Sequence, residues 1–531
     1  MDHRNRFRLE SLGIFLFALL LFTLGIWDQQ PQGFDGRWAL FLQEMFRHGA
    51  SLFPTTYGQP YADYPGTATF FSYVFARLFG APNHLANVLP TALASAGVVA
   101  VVYRLLVPAN RQWALLTVLL TLLTTQLLEK SRSVCLDQMV ALLCVGSFYL
   151  LHSGGRWRRL AVFALFVLGF AIRGPLGLIE VCGVVCVYWA LGKPGERVKQ
   201  VLIHGTVGLV LLAACWWLLV KLARISAGDA FADEVFKMQV GGRLDETGEP
   251  FYFYFQLSLY RYFPVVPLAL ASMIALRHRW SERLEGDMQL VVRLGACGLM
   301  ILLGLSVPHF KRAYYILPMV PMFAAVAAYG LLQAPRWLSG VRRCYEGLVV
   351  ALPALCVVVV FVCRHGWQKH GYWPDVSLPL LIGVLVVLQG AALIAWRRAG
   401  RLVWLSLIAL LAQWLLLVAV VEPSKDMQFD TRKFVGQVEA LRVETPGPLV
   451  FINLGRDTWA VRYMMNLDHD EQPIFIGGSE IERLGTLPQP AWVIVSRKET
   501  ALLQGTPLEK RTPRFEGRLN DNPLMVFLLK Q

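Results

Sequence analysis

The sequence is short of charge. Asp, Glu, Lys and Arg make up only 16% of its 531 residues while 56% are hydrophobic, whereas soluble domains carry roughly a quarter charged residues. That balance, with a mean hydropathy of +0.49, excludes an ordinary soluble globular chain. It also lacks any C-x-x-C pair: its nine cysteines fall inside or at the edges of apolar runs, where they act as small apolar packing residues rather than redox or zinc ligands. No long basic face and no array of basic and aromatic residues accompanies the net charge of +14, so nucleic acid is not the expected partner. The first apolar run has no small-residue cleavage site and reads as a membrane span instead of a cleaved leader. No internal repeat stands out.

What is present is a series of apolar runs of about 17 to 25 residues, the length that crosses roughly 30 Å of hydrocarbon. About thirteen are expected, near 11–27, 86–107, 112–128, 134–151, 160–172, 176–192, 201–220, 256–276, 288–307, 314–333, 346–363, 377–396 and 402–421. The fifth is short and ends at "RGP" (173–175), the mark of a broken or tilted helix. The clusters "RNRFR" (4–8), "RWRR" (156–159), "KPGERVK" (193–199), "RHRWSER" (277–283), "RWLSGVRR" (336–343) and "RRAGR" (397–401) all fall on one side of these spans. Positive-inside bias makes that side cytoplasmic, with the N-terminus.

Two long segments then lie outside. One is the first loop, 28–85, which belongs with the transmembrane domain 1–421. The other is the tail, 422–531, whose composition is that of a soluble domain. "PLVFINL" (448–454), "AWVIVS" (491–496) and "LMVFLL" (524–529) read as buried strands and "DTRKFVGQVEALRVE" (430–444) as a helix, so the tail is expected to be a small extracytoplasmic α/β domain.

The outer loops carry cations that the orientation rule disfavours: Lys130 and Arg132 in "EKSRSVCLDQM", Arg173, and Lys311 with Arg312 in "SVPHFKRAYY". An anionic ligand at the membrane surface gives them a role; pairing with local acids such as Glu129 or Asp137, or with lipid headgroups, is the plainer one. Acids stand nearby. "GFDGRWALFLQEMFRHG" (33–49) places Asp35 ahead of an amphipathic helix whose Trp38, Phe41, Leu42, Met45 and Phe46 share one face, with Arg37, Glu44, Arg47 and His48 on the other. Such a helix is expected to lie in the membrane interface. Asp63 follows in a second outer segment, between two tyrosines. A carboxylate beside a desolvated cavity is a candidate general base, while an N-cap role for Asp35 and a turn role for Asp63 are the structural alternatives.

These stretches resemble the polytopic glycosyltransferases of the C-type fold (GT-C) that use polyprenyl-phosphate sugars. They are most like the aminoarabinose transferases acting on lipid A and the protein O-mannosyltransferases. "FDGRWALFLQEMFRHG" is similar to the family's acidic first-loop motif and interfacial helix, and "GQPYADYPG" (58–66) to its second-loop segment. "GEPFYFY" (248–254) with "RYFP" (261–264) matches a loop-to-helix signature, and "VPHFKRAYYILPMVP" (307–321) a Lys-then-Tyr-Tyr stretch before a late span.

The resemblance implies that Asp35 is the catalytic carboxylate, held by Arg37 and Asp137 paired together. It implies that Asp63 takes the second acidic place near Tyr61, and that Lys311, Tyr314 and Tyr315 surround the lipid phosphate. Trp38 and Arg132 support the site. The expected partners are a polyprenyl-phosphate-linked sugar such as an undecaprenyl phosphate sugar, an extracytoplasmic acceptor and membrane lipids, in the bacterial inner membrane. The chain departs from the pattern in three places. Phe34 replaces the first of two adjacent acids. Tyr64 stands where a phosphate-binding lysine belongs, a loss that Arg312 or Arg261 compensates. Thr247 stands near a metal-binding histidine position, so no metal is expected. These departures point to a divergent member with another sugar or acceptor. A lipid-linked sugar flippase or transporter is the alternative from another class, for which Arg293 inside an apolar run is the one supporting feature; a membrane scaffold leaves the outer charges without a role.

Overall fold

In the computed structural model, which describes residues 3–63, 65–241, 248–333, 338–520 and 522–530, each expected apolar run is largely helical, two of them across a sharp bend. Tyr64 and Thr247 fall outside the described residues. Seven helices among them are long and apolar enough to cross a membrane, or nine if two bent pairs each count as one span. The chain is a multi-pass membrane protein. The count of thirteen exceeds this because of four helices. α1 (His3–Thr23) and α8 (Arg156–Arg173) carry several charged residues in their end turns, while α9 (Pro175–Ala190) and the stretch Leu317–Leu332 are shorter than a full crossing.

The "RGP" break is a one-residue turn. Gly174 adopts φ +66° between α8 and α9, a left-handed conformation that glycine reaches without a Cβ clash. The first bent pair joins α5 (Arg111–Leu123) to α6 (Thr125–Ser131) at 74°. The second bends by 103° between Phe253–Tyr260 and the helix beginning at Val265. Both bends deliver short helices to the end of the bundle that carries the first loop.

In that loop, α2 (Asp35–His48) follows the expected bounds, with Trp38, Phe41, Leu42 and Met45 buried. It does not lie with a bare polar face on a membrane surface. Glu44, expected on that face, is buried and accepts the backbone N–H of Gly58. Burial raises its pKa, against the pull of its hydrogen bonds from the 55–58 turn. That turn joins two short strands, β1 (Thr55–Thr56) and β2 (Gln59–Pro60). The second contact of α2 is the C-terminal tail.

The tail forms a five-stranded sheet in the order β4-β3-β5-β7-β6. β3 (Leu449–Ile452) runs parallel to β4 (Ile474–Ile476) and β5 (Ala491–Ser496), whereas β7 (Asn522–Leu529) is antiparallel to both β5 and β6 (Phe515–Leu519). Three of these strands and the helix Arg432–Glu444 sit where apolar runs place them. β4, only three residues, and β6, broken by Gly517, carry too weak a pattern. One core cluster of the tail, with Phe451 and Tyr463, also holds Leu40 of α2 and Tyr57 of the β1–β2 turn. Gln43 donates to the Met465 carbonyl at 2.6 Å and Arg47 to that of Leu467 at 2.6 Å. The first loop and the tail are therefore packed as one layer over the end of the bundle.

Candidate functional site

Two cavities open beneath this layer and share a wall made by Phe34, Trp38, Val134, Cys135 and Tyr314. The first, of about 400 Å³, holds Asp35. Its carboxylate sits on the first turn of α2, 6% exposed, and Oδ2 accepts the Val134 N–H at 3.2 Å. Among the described residues it has no salt-bridge partner. Burial raises its pKa to about 6, with the Lys130 charge and the Val134 hydrogen bond pulling the other way. A carboxylate so tuned is half-deprotonated near pH 6 and accepts a proton at neutral pH. Lys130 lines the same cavity with its ammonium 5.2 Å from the Tyr314 ring centre. Two groups in this lining, His84 Nδ1 and Ser133 Oγ, are buried without a hydrogen-bond partner among the described residues.

The second cavity, of about 300 Å³, gathers Arg37, Tyr61, Asp63, Asp137, Arg173, Lys237, Arg312, Tyr315 and Asp457 around the shared wall. Here the expected pairing of Arg37 with Asp137 is corrected. Arg37 faces Asp63 at 3.9 Å and lies over the Tyr61 ring, while Asp137 is paired with Arg173 at 3.1 Å, both side chains 2% exposed. Asp35 is therefore held by the Val134 amide, not by an Arg37–Asp137 bridge. The reason is topological: Asp137 opens α7 (Leu136–Ser153), which packs against α8, the helix that ends at Arg173.

The 310–315 loop also differs from expectation. Lys311 turns away from both cavities, donating to the Glu249 carbonyl at 2.8 Å. Burial lowers its pKa, with Glu249 opposing. Arg312, its neighbour, leaves the backbone on the other side and lines the second cavity, its guanidinium 4.9 Å from the Phe34 ring centre and 5.0 Å from that of Phe310. Tyr314 borders both cavities and Tyr315 the second, beneath Arg173 at 4.6 Å. Two tyrosines of the "GEPFYFY…RYFP" stretch fix this loop. Tyr254 Oη donates to the Arg312 carbonyl at 3.0 Å and Tyr262 Oη to that of Ala313. Arg261 borders neither cavity and donates to Gln126 at 3.3 Å. Arg132 lines the first cavity, but its guanidinium is committed to Glu422 and to the carbonyls of Leu21 and Leu24. Arg293, the one feature that favours transport, lies far along the bundle over the Tyr188 ring at 4.2 Å and donates to the Leu191 carbonyl. Among the described residues, no three His, Cys, Asp or Glu side chains converge as metal ligands.

Several lining residues escape a sequence reading. Lys237 lies in an unremarkable stretch after α10 (Pro194–Phe236). Arg462 and Asn520 reach the first cavity, and Asp457 the second, from the tail. Asp457 has a usable signal: it stands in the helical turn Arg456–Ala460 that follows the carboxyl end of β3, and ligand groups in α/β sheets sit beyond the carboxyl ends of parallel strands. Its Oδ2 accepts from Tyr61 Oη at 3.3 Å, and burial raises the Tyr61 pKa.

By sequence, no family model and no curated protein matches this chain. By structure, it is similar to ArnT from Cupriavidus metallidurans bound to undecaprenyl phosphate, at TM-score 0.72, 15% identity and 97% coverage of both chains. It is equally similar to the apo state of that protein, at TM-score 0.73 and 14% identity over 97% of each chain. Near-complete coverage at that score means that bundle, first loop and tail are arranged alike: the chain has the fold of ArnT.

Proposed function

We propose that the protein is an integral-membrane glycosyltransferase that moves a sugar from a polyprenyl-phosphate carrier to an extracytoplasmic acceptor, a glycan, lipid or protein of the cell envelope. The observation that carries this reading is the pair of adjoining cavities, holding, among the described residues, a buried acid without an ion pair in one and cations without an ion pair in the other, separated by a wall that includes Tyr314. The ArnT fold supports it, since that protein's crystal structure holds undecaprenyl phosphate.

In the proposed reaction, the acceptor hydroxyl enters the first cavity and gives its proton to Asp35 as its oxygen bonds to the anomeric carbon. The bond from that carbon to the phosphate oxygen breaks on the opposite face, so configuration inverts and polyprenyl phosphate leaves with the electron pair. Arg312, Tyr314 and Tyr315 receive the leaving phosphate through charge-assisted hydrogen bonds. Asp63, neutralised by Arg37, positions that arginine and the Tyr61 ring beside the phosphate cavity. Lys311 holds the loop and Arg261 its bent helix. The basic clusters orient the chain in the bacterial inner membrane with its N-terminus cytoplasmic and the tail in the periplasm.

The test is sugar release from radiolabelled undecaprenyl-phosphate sugars by the purified protein, with an envelope extract as acceptor, beside Asp35→Asn and Asp63→Asn variants. Turnover lost in Asp35→Asn with undecaprenyl phosphate binding retained supports the assignment. Loss only in Asp63→Asn moves the base to that residue. No turnover with any donor, together with lipid movement across vesicles, replaces the transferase with a flippase.

A further inference from the structure

We propose that Lys237 is a second phosphate-binding cation of the leaving-group cavity, one whose contact strengthens as the glycosidic bond breaks; this rests on the glycosyl-transfer reading above. Among the described residues, four cations line that cavity: Arg37, Arg173, Arg312 and Lys237. Two are committed, Arg37 to Asp63 and Arg173 to Asp137. The Arg312 guanidinium rests on the Phe34 and Phe310 rings and forms no ion pair among the described residues, and neither does Lys237. The third carboxylate of the lining, Asp457, accepts from the Tyr61 hydroxyl. Two cations without an ion-pair partner therefore face one small, aromatic-walled space, with Asp457 as the one carboxylate among the described lining residues that no ion pair neutralises.

Lys237 is placed there by the backbone. α10 leaves helical geometry at Ala227 (φ −152°) and Gly228 (φ +85°), the latter in the left-handed region. Beyond the break the helix is fixed to the first loop by an edge contact of Phe231 on Phe53, ring centres 5.1 Å apart. The π-helical turn Lys237–Gly241 continues from it, with Gln239 buried. A straight continuation of α10 would carry residue 237 elsewhere; the kink turns it toward the cavity lined by Arg312.

Two uncommitted cations fit the charge change of the reaction. A sugar phosphodiester carries one negative charge, which Arg312 alone balances. When the bond to the sugar breaks, the phosphate becomes a monoester whose second ionisation, near pH 6, brings it to about −1.5 to −2 at pH 7. A second cation gains interaction only as that charge develops, so it stabilises the transition state and the product more than the bound donor.

The experiment compares wild type with Lys237→Gln, Lys237→Met and Lys237→Arg, measuring kcat and KM for the labelled undecaprenyl-phosphate sugar, Kd for undecaprenyl phosphate in detergent micelles, and Tm. Expected for the glutamine and methionine variants is a kcat lowered about tenfold or more and undecaprenyl phosphate bound about tenfold more weakly, with donor KM changed less than about threefold and Tm unchanged. The arginine variant keeps most of both. Wild-type kcat and undecaprenyl phosphate Kd in both neutral variants overturn the inference while leaving the transferase standing. So does equal loss in all three variants, or loss accompanied by a lowered Tm in both neutral variants. A wild-type protein that neither transfers sugar nor binds undecaprenyl phosphate overturns the underlying reading instead.

Discussion

The Arg132 guanidinium grips Glu422 with two parallel hydrogen bonds, Nε to Oε1 at 2.6 Å and Nη2 to Oε2 at 2.7 Å, and gives its remaining reach to the carbonyls of Leu21 and Leu24. One side chain thus ties the loop after α6 to the end of α1 and to the segment that leads into the tail. The arginine side chain is 1% exposed and the glutamate 14%. Breaking such a pair strands a buried charge, at a cost of about 3–5 kcal/mol. Arg132→Ala and Glu422→Ala are each expected to lower Tm in detergent by several degrees. Retention of the wild-type Tm in both would remove the staple role and return Arg132 to the candidate ligands.

The acid in the first cavity sets a pH profile. Asp35 accepts a proton only when ionised, and its pKa lies at about 6. The ratio kcat/KM should therefore rise about tenfold per pH unit below 6 and level off above 7. Replacing the residue with asparagine should leave a low rate without that limb. A wild-type profile flat from pH 5 to 8 would exclude Asp35 as the base.

Arg37 and Asp63, 3.9 Å apart and both largely buried beside the Tyr61 ring, should behave as a unit. Asp63→Asn is expected to lower activity because Arg37 loses its orienting partner. In an Arg37→Gln background the same change should do little, a coupling of about 1 kcal/mol or more in a double-mutant cycle on kcat/KM. Additive losses would give Asp63 a separate role in the chemistry.

These couplings mark where sequence reading reaches its limit. The apolar runs, α2 and three of the five tail strands follow from periodicity, because each is set by which side of its own backbone is buried. So does the gathering of Asp35, Asp63, Arg312, Tyr314 and Tyr315 at one end of the bundle, since all stand in the first loop or at a span end on the same side. Choosing between Lys311 and Arg312 depends on which side of an irregular loop each side chain leaves, and that is decided by Tyr254 and Tyr262 some 50 residues earlier. The partner of Arg37 depends on helix packing that brings Arg173 to Asp137 first. Glu44 reads as a solvent-facing residue because its partners lie in the 55–58 turn, and the tail that packs beside its neighbour Gln43 is more than 400 residues away.

The same acid that would serve catalysis should weaken the fold. An aspartate ordinarily ionises near 3.8, and burial raises Asp35 to about 6. Between those values the folded state binds the proton more tightly than the unfolded chain. The neutral form's advantage is fully present below pH 4, is lost as pH rises from 4 to 6, and stays lost above. A difference of about two pH units corresponds to about 3 kcal/mol, taken as an upper figure. Asp35→Asn carries no charge to desolvate and offers the Val134 N–H an oxygen acceptor at the same place. At pH 7.5 the asparagine variant should melt several degrees above wild type, and at pH 4 the two should coincide. A gain in stability paired with a loss of transfer would mark Asp35 as a residue held there for chemistry at the expense of stability. An asparagine variant that melts below wild type at both pH values would instead mean that the ionised carboxylate organises the first turn of α2 and the Val134 loop.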